Sequence, residues 1–446
     1  SVAIGYAALD AQDYTTDTDA YNIGIGYEAG GAVTTGIHNT LIGGLAGDAL
    51  TTGFENVAVG YAALSADTLG SKSVAIGRNS LNAQNFTTAT DALNVAVGQS
   101  AGKSVTTGTN NTLVGGLAGD ALTDADLNVA VGDNALSADT LGSRSTAIGR
   151  SALSSQNFST ATDSNNTAVG FNAGTSVTTG VQNTIVGANA GDALTSGNSN
   201  VAVGVNALTS DTLGDRNVAV GHTALAVQNF TTTTDAYNVA VGYDAGGDIT
   251  TGVQNTIVGG EAGDSITTGN NNIAIGYLAL QAETTGDRNV AIGTAALDAQ
   301  NNTTGANIYN VGIGYAAGSA ITTGVQNTIV GGLAGDSLTD ADQNTALGYG
   351  SLSGDTLGTN SVAVGYLALQ DQNFTTATAT YNVAIGAQAG KDITTGQNNT
   401  IVGGLAGDAL TDGTNNVAIG TTALSSDKRG SRSVAIGSAA LESQNF

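Results

Sequence analysis

The sequence predicts an all-β chain, a parallel β-solenoid of about 25 rungs, and three observations predict it. One phrase (Asn or Ser, two variable positions, Val, Ile or Leu, then Gly) returns from Ser1 to Ser433 at steps of 21, 17, 17 and 17, with no insertion anywhere. There are 65 Gly and no Pro, Cys, Met or Trp. The apolar residues are mostly Ala, Val and Ile, a set that suits thin, regular β-structure with Gly at its corners. The absence of Pro fits paired strands, because Pro removes a ladder donor.

The four steps make a 72-residue super-repeat. Blocks 1-72, 73-144, 145-216, 217-288, 289-360 and 361-432, with a partial 433-446, read as one continuous array. Ser1 already lies inside a rung, so the array is expected to be a segment of a longer fibre. A 17-residue repeat is too short for a helix pair and suits one turn of a solenoid.

The elements of a rung follow in order. Position 1 is Asn or Ser, and stacking makes it an amide ladder whose side chains bond to the rungs above and below. Positions 2 to 4 form a short strand, as in "VAVG" from Val57. Position 5 is Gly in every copy, from Gly5 to Gly437, as a corner or close backbone approach requires. A second short strand is expected through Ala-Leu or Ala-Gly, followed by a return rich in Thr, Asp and Gly. Positions 2 and 4 share one strand face and position 3 the other. Position 4, as at Val59, Val131 and Ile275, is expected inside the coil. Position 3, usually Ala but Leu113 or Ile257 in third rungs, is expected to face partner chains near a three-fold axis. Both faces are apolar, as in sheets covered on both sides, and so thin a coil favours oligomerisation.

The first rung of each block carries four extra residues, as in "LNAQNFTTATDAL" from Leu81. Its position 14 is Tyr14, Phe86, Phe158, Phe230, Phe374 and Phe446, replaced by Asn302 in one block. These aromatics are expected on a loop that emerges once per block. Two readings stand: a regularly spaced binding surface, or a plug against a neighbouring protomer that sets trimer or filament register.

Little chemistry is offered. Asp48, Asp120, Asp192, Asp264, Asp336 and Asp408 recur at position 10 of third rungs, and Asp67, Asp139, Asp211, Glu283, Asp355 and Asp427 at position 12 of fourth rungs. Lys72, Arg144, Arg216, Arg288 and Arg432 close fourth rungs. The position 10 series supplies candidate calcium ligands, but calcium needs six to eight converging oxygens and no EF-hand or Gly-Gly-x-Gly-x-Asp loop is present. The plainer reading of both acidic series is solvated turns or surface ion pairs. His38 and His222 occupy unrelated rung positions, no nucleophile-base pair can be nominated, and Gly-x-Gly phrases lack the following helix that a phosphate loop needs. The Thr-rich returns lack the Thr-x-Thr strand spacing of an ice-binding face. The chain is expected not to be an enzyme and to use no cofactor.

The formal net charge is −25, with 36 Asp plus Glu against 11 Lys plus Arg. Such a surface repels phosphate backbones and anionic headgroups, which excludes nucleic acid and membrane surfaces as partners. No apolar run reaches membrane-spanning length, so no direct membrane insertion is expected in this segment. Without Cys the redox compartment is undetermined.

The phrases "SVAIG", "NVAVG" and "NVAIG" resemble the head repeats of YadA-like trimeric autotransporter adhesins, over essentially the whole chain. The resemblance implies a left-handed β-roll and a homotrimer packed through apolar faces. The rungs here are longer than is common in that family, and no neck, coiled-coil stalk or membrane anchor appears among these residues. Arrays of the Asn-Thr-Ala-Val-Gly kind are also similar to phage tail-fibre-like proteins. The leading expectation is a structural and adhesive repeat segment of an extracellular or cell-surface trimeric fibre or filament, mediating attachment to a host-cell or matrix surface, or assembly. The alternatives are the shaft of a phage tail fibre, part of a virion, and a solenoid that binds calcium, glycan or ice.

Overall fold

The computed structural model describes residues 1–444. Among them are 25 three-residue strands in parallel pairing and no helix, so the chain is the parallel β-solenoid that its spacing predicts. It comprises two units, Ser1–Ala219 with Asn229–Asp235, and Val220–Gln228 with Ala236–Phe446.

In the first unit the strands run from Val2–Ile4 to Val201–Val203, each paired in register with that of the next rung. Thr40, Leu41 and Ile42 lie beside Val57, Ala58 and Val59, which lie beside Val74, Ala75 and Ile76. The second unit repeats this from Val239–Val241 to Val434–Ile436, as where Val290, Ala291 and Ile292 lie beside Val311, Gly312 and Ile313. Like residues therefore sit above like.

The invariant Gly is required twice over. Gly60 has φ +133°, and a Cβ there would stand 2.6 Å from the carbonyl oxygen of Gly77 in the next rung. L side chains avoid that backbone region, and the neighbouring backbone leaves no room.

The Asn ladder runs differently from a simple stack. Asn39 accepts the backbone N–H of Asn56 at 3.0 Å, and its Nδ2 donates to Gly53 O of its own rung at 2.9 Å. One arm links two rungs and the other closes the rung. These Asn side chains are fully buried, and satisfying both arms is what makes that burial tolerable.

Two expectations are corrected. The strand faces are the reverse of those expected: position 3 is inside and position 4 outside. Ala58, Leu113 and Ile257 have no exposed surface, whereas Val59 and Val131 are half-exposed and Ile275 is 36% exposed. Leu113 and Ile257 therefore fill the coil and do not lie on an axis between chains. The second strand through Ala-Leu is also absent, because positions 7 and 9 adopt left-handed conformations, as at Ala62 (φ 53°) and Leu64 (φ 54°). Such residues make turns, and here the turns stack. Ala62 donates back to Gly44 O at 3.0 Å, while Leu64 donates forward to Ser80 O at 3.0 Å. Left-handed backbone costs a non-Gly residue roughly 1–2 kcal/mol, which these rung-to-rung bonds offset.

The core sits in columns at positions 3, 8, 9 and 12, and their volumes are matched. Where position 9 is Gly, large neighbours fill the space: a Cβ on Gly102 would meet Leu113 Cδ1 at 2.7 Å and Leu81 Cδ2 at 3.0 Å. Leu occupies position 9 in first and fourth rungs, Gly in second and third.

Candidate interaction surface

Positions 2 and 4 point outward in every rung. Position 2 is Val, Ile or Thr throughout, and position 4 is Val or Ile except for Leu347. Neither column carries a charge. Many of these side chains are well exposed, among them Ile148 (38%), Ile385 (41%) and Leu347 (46%). β-Branched residues pack well on a pleated surface, but here nothing in the chain covers them.

Two further columns border this face. At position 6, directly after the Gly corner, stand Tyr6, Tyr27, Tyr61, Tyr277, Tyr315 and Tyr349, all more than half exposed. Tyr6 stacks on Tyr27 with ring centroids 5.4 Å apart and planes at 12°, and Tyr349 on Tyr366 at 5.9 Å and 15°. His222 stacks on Tyr243 in the same way. At the last position of each rung are exposed Tyr21, Leu93, Leu127, Tyr309 and Tyr381, with Tyr21 against His38 and Arg288 over Tyr309. The position 6 aromatics escaped the sequence reading. The signal was Tyr recurring one residue after the invariant Gly.

The aromatics expected on the surface are inside. Phe86, Phe158, Phe230 and Phe374 are only about 5% exposed, and Tyr14 is half-buried with its hydroxyl donating to Gly36 O at 2.6 Å. Asn302 replaces them as a buried residue, and Phe446 lies outside the described residues. Phe158 lies against Gly142, where a Cβ would stand 2.7 Å from its ring. They plug their own coil, so they are neither surface-binding groups nor plugs against a neighbour. The tips of the extensions are exposed Thr and Ala, such as Thr87, Thr88 and Ala89, before Thr90–Asp91 pairs back onto Gly70–Ser71. Lys72 closes this return on Asp91 at 2.6 Å, and Arg144 on Asp163 at 2.9 Å.

The fourth-rung acids are also inside, against the expectation of solvated turns. Asp67, Asp139, Asp211, Glu283, Asp355 and Asp427 have no exposed surface. Asp67 accepts from Gly70 N at 3.0 Å, Phe86 N at 3.3 Å and Gln84 Nε2 at 2.6 Å. Gln84 also donates to Ser73 Oγ at 3.0 Å and accepts from Asn94 at 2.9 Å. Burial pushes the Asp67 and Asp139 carboxyls above the usual range, while the donors from Gln84 and Gln156 and from backbone N–H groups pull the other way.

The third-rung Asp residues line a different face and are half-buried. Asp48, Asp264, Asp336 and Asp408 each keep one carboxylate oxygen buried without a hydrogen-bond partner, and Asp192 accepts from Thr209 Oγ1 at 2.5 Å. Burial raises Asp48, Asp120, Asp264, Asp336 and Asp408. Among the described residues no three His, Asp or Glu side chains converge as a metal would need, and no helix is long and apolar enough to cross a membrane. Comparison with protein-family models and with curated proteins found no match to this chain.

Proposed function

We propose that this chain is a structural repeat segment of an extracellular, self-associating fibre, without catalytic activity, in which three parallel copies meet through their outward strand faces. One observation carries the reading. A chain of net charge −25 keeps charge out of two outward columns in every rung, one of Val, Ile and Thr and one of Val and Ile with a single Leu. Contiguous exposed apolar surface of this kind marks an interaction site, and concentrating the acids elsewhere removes the like-charge repulsion that would oppose a homomeric contact. The resemblance of "SVAIG" and "NVAVG" to adhesin head repeats points to the same arrangement. The bordering Tyr columns remain at the edge of such an interface, where aromatic groups serve adhesion to a foreign surface. The same segment would serve as the shaft of a viral tail fibre, and flanking sequence separates the two.

The test is the mass in solution by light scattering. Three copies of 43.6 kDa are expected to travel together. Val131→Lys with Val203→Lys, both outward, should give monomers that keep the strand signal in circular dichroism. A wild-type chain that runs as a folded monomer overturns the reading.

A further inference from the structure

The interior columns cycle with a period of four rungs, and one of them carries polar groups. Position 12 is Gln in first rungs, Val or Ile in second, Leu or Ile in third, and Asp or Glu in fourth, in every block. A fourth rung followed by a first rung therefore stacks acid on amide. The pair is made at Asp67–Gln84 (2.6 Å), Asp139–Gln156 (2.5 Å), Glu283–Gln300 (2.8 Å) and Asp355–Gln372 (2.5 Å). No other succession of rungs in the sequence offers the acid a donor at this position.

We propose that this buried acid–amide layer is a register lock, which makes the four-rung block, and not the single rung, the unit by which the array is lengthened or shortened. Rungs alike in their strands and corners are otherwise told apart only by the volumes of their core columns, chiefly at positions 3 and 9. Skipping the first rung 73–93 would bring Val105 to Asp67 and bury a carboxylate without its amide donor. Skipping the fourth rung 56–72 would bring Leu50 to Gln84 and remove the acceptor of one of its two donated bonds, leaving only Ser73 Oγ to take the other. Unpaired buried polar groups are costly, and a charge more so. Excising a whole block, such as 73–144, sets Asp67 beneath Gln156 and preserves every layer. Fixing register is the best-attested role for isolated buried polar groups.

The lock also ties down the extension. Asp67 Oδ1 takes the N–H of Phe86, and Thr68 Oγ1 donates to Phe86 O at 3.0 Å. The same two groups hold the extension at Phe158, through Asp139 and Thr140, and at Phe374, through Asp355 and Thr356. The junction of the fourth and fifth blocks varies the pair: Glu283 replaces Asp, Asn302 replaces Phe, and the Asn302 N–H still donates to the carboxylate at 3.1 Å.

The experiment compares two deletions of equal length in the full chain, each removing one short rung. Deleting 94–110 keeps Asp67 paired with Gln84, and Asn111 replaces Asn94 as donor to Gln84. Deleting 56–72 removes the acid and keeps the Gln. The urea midpoint of the strand signal should stay close to wild type for deletion of 94–110 and of block 73–144. It should fall, by roughly 1 M, for deletion of 56–72. Adding Gln84→Leu to the last deletion should recover part of the loss, which a merely shortened coil would not do. Equal effects of the two rung deletions, or no recovery with Gln84→Leu, would overturn the lock.

Discussion

Gln84 donates from Nε2 to the Oδ2 of Asp67 across 2.6 Å, with both side chains free of exposed surface inside the coil. A carboxyl group is thus held inside the coil, where the columns at positions 3 and 8 are largely Ala and that at position 9 is Leu or Gly. It is satisfied by one side-chain amide and two backbone N–H groups.

That burial sets the pH response. A carboxyl whose pKa is raised on folding binds its proton more tightly in the folded chain than in the unfolded one. Its contribution to stability is present below the unfolded value of about 3.9 and is lost as pH rises through the raised value. Asp67, Asp139, Asp48, Asp264 and Asp336 all shift upward, and repulsion within a chain of net charge −25 acts in the same direction. The thermal midpoint should be higher at about pH 4 than at about pH 8. High salt should narrow the difference without abolishing it, since buried groups are poorly screened. A midpoint that rises with pH would contradict the raised values.

Gly60→Ala should destabilise, by roughly 2 kcal/mol or more, since it combines φ +133° with a Cβ placed 2.6 Å from Gly77 O. Gly44→Ala is the control, because the nearest atom to its Cβ is Tyr61 Cδ2 at 3.7 Å. Urea unfolding of the two variants should separate them clearly. Equal midpoints would remove the backbone explanation for the invariant corner.

The inward face can be told from the outward one by truncation. Leu113→Ala opens a cavity in a fully buried column and should cost roughly 2–5 kcal/mol. Val131→Ala, on the half-exposed column, should cost roughly 1 kcal/mol or less in the dissociated chain. Denaturation of a monomeric background gives the two values directly, and the reverse ranking would restore the opposite facing.

Phe158→Ala should behave as a core substitution, costing roughly 3–5 kcal/mol, because the ring is packed against Gly142 within its own coil. Assembly mass should stay unchanged at temperatures where the variant is folded. A variant of wild-type stability that fails to assemble would place the ring at an interface after all.

Much of the fold was legible in the sequence because stacking is a one-dimensional problem. A constant short period with Gly at every corner and Asn or Ser at every rung start has one consistent solution: a coil in which like sits on like. The face of the strand was not legible. In "VAVG" all three strand positions are apolar, so alternation carries no polarity contrast to choose an inside. Volume chose it, and volume is a property of the closed coil. An interior already filled by Leu64 and Leu81 from position 9 admits Ala58 and Ala75 at position 3. The β-branched residues at positions 2 and 4 are left outside. The acids at position 12 and the Phe of the extension were misplaced for a related reason. Their residue types favour solvent or a loop tip, but their surroundings are assembled from the adjacent rung and not from their neighbours in the chain. Sequence alone determined the period, the parallel stacking and the corners. Only the closed tertiary structure decided which groups face in, because that depends on how the cross-section fills and which donors the next rung presents.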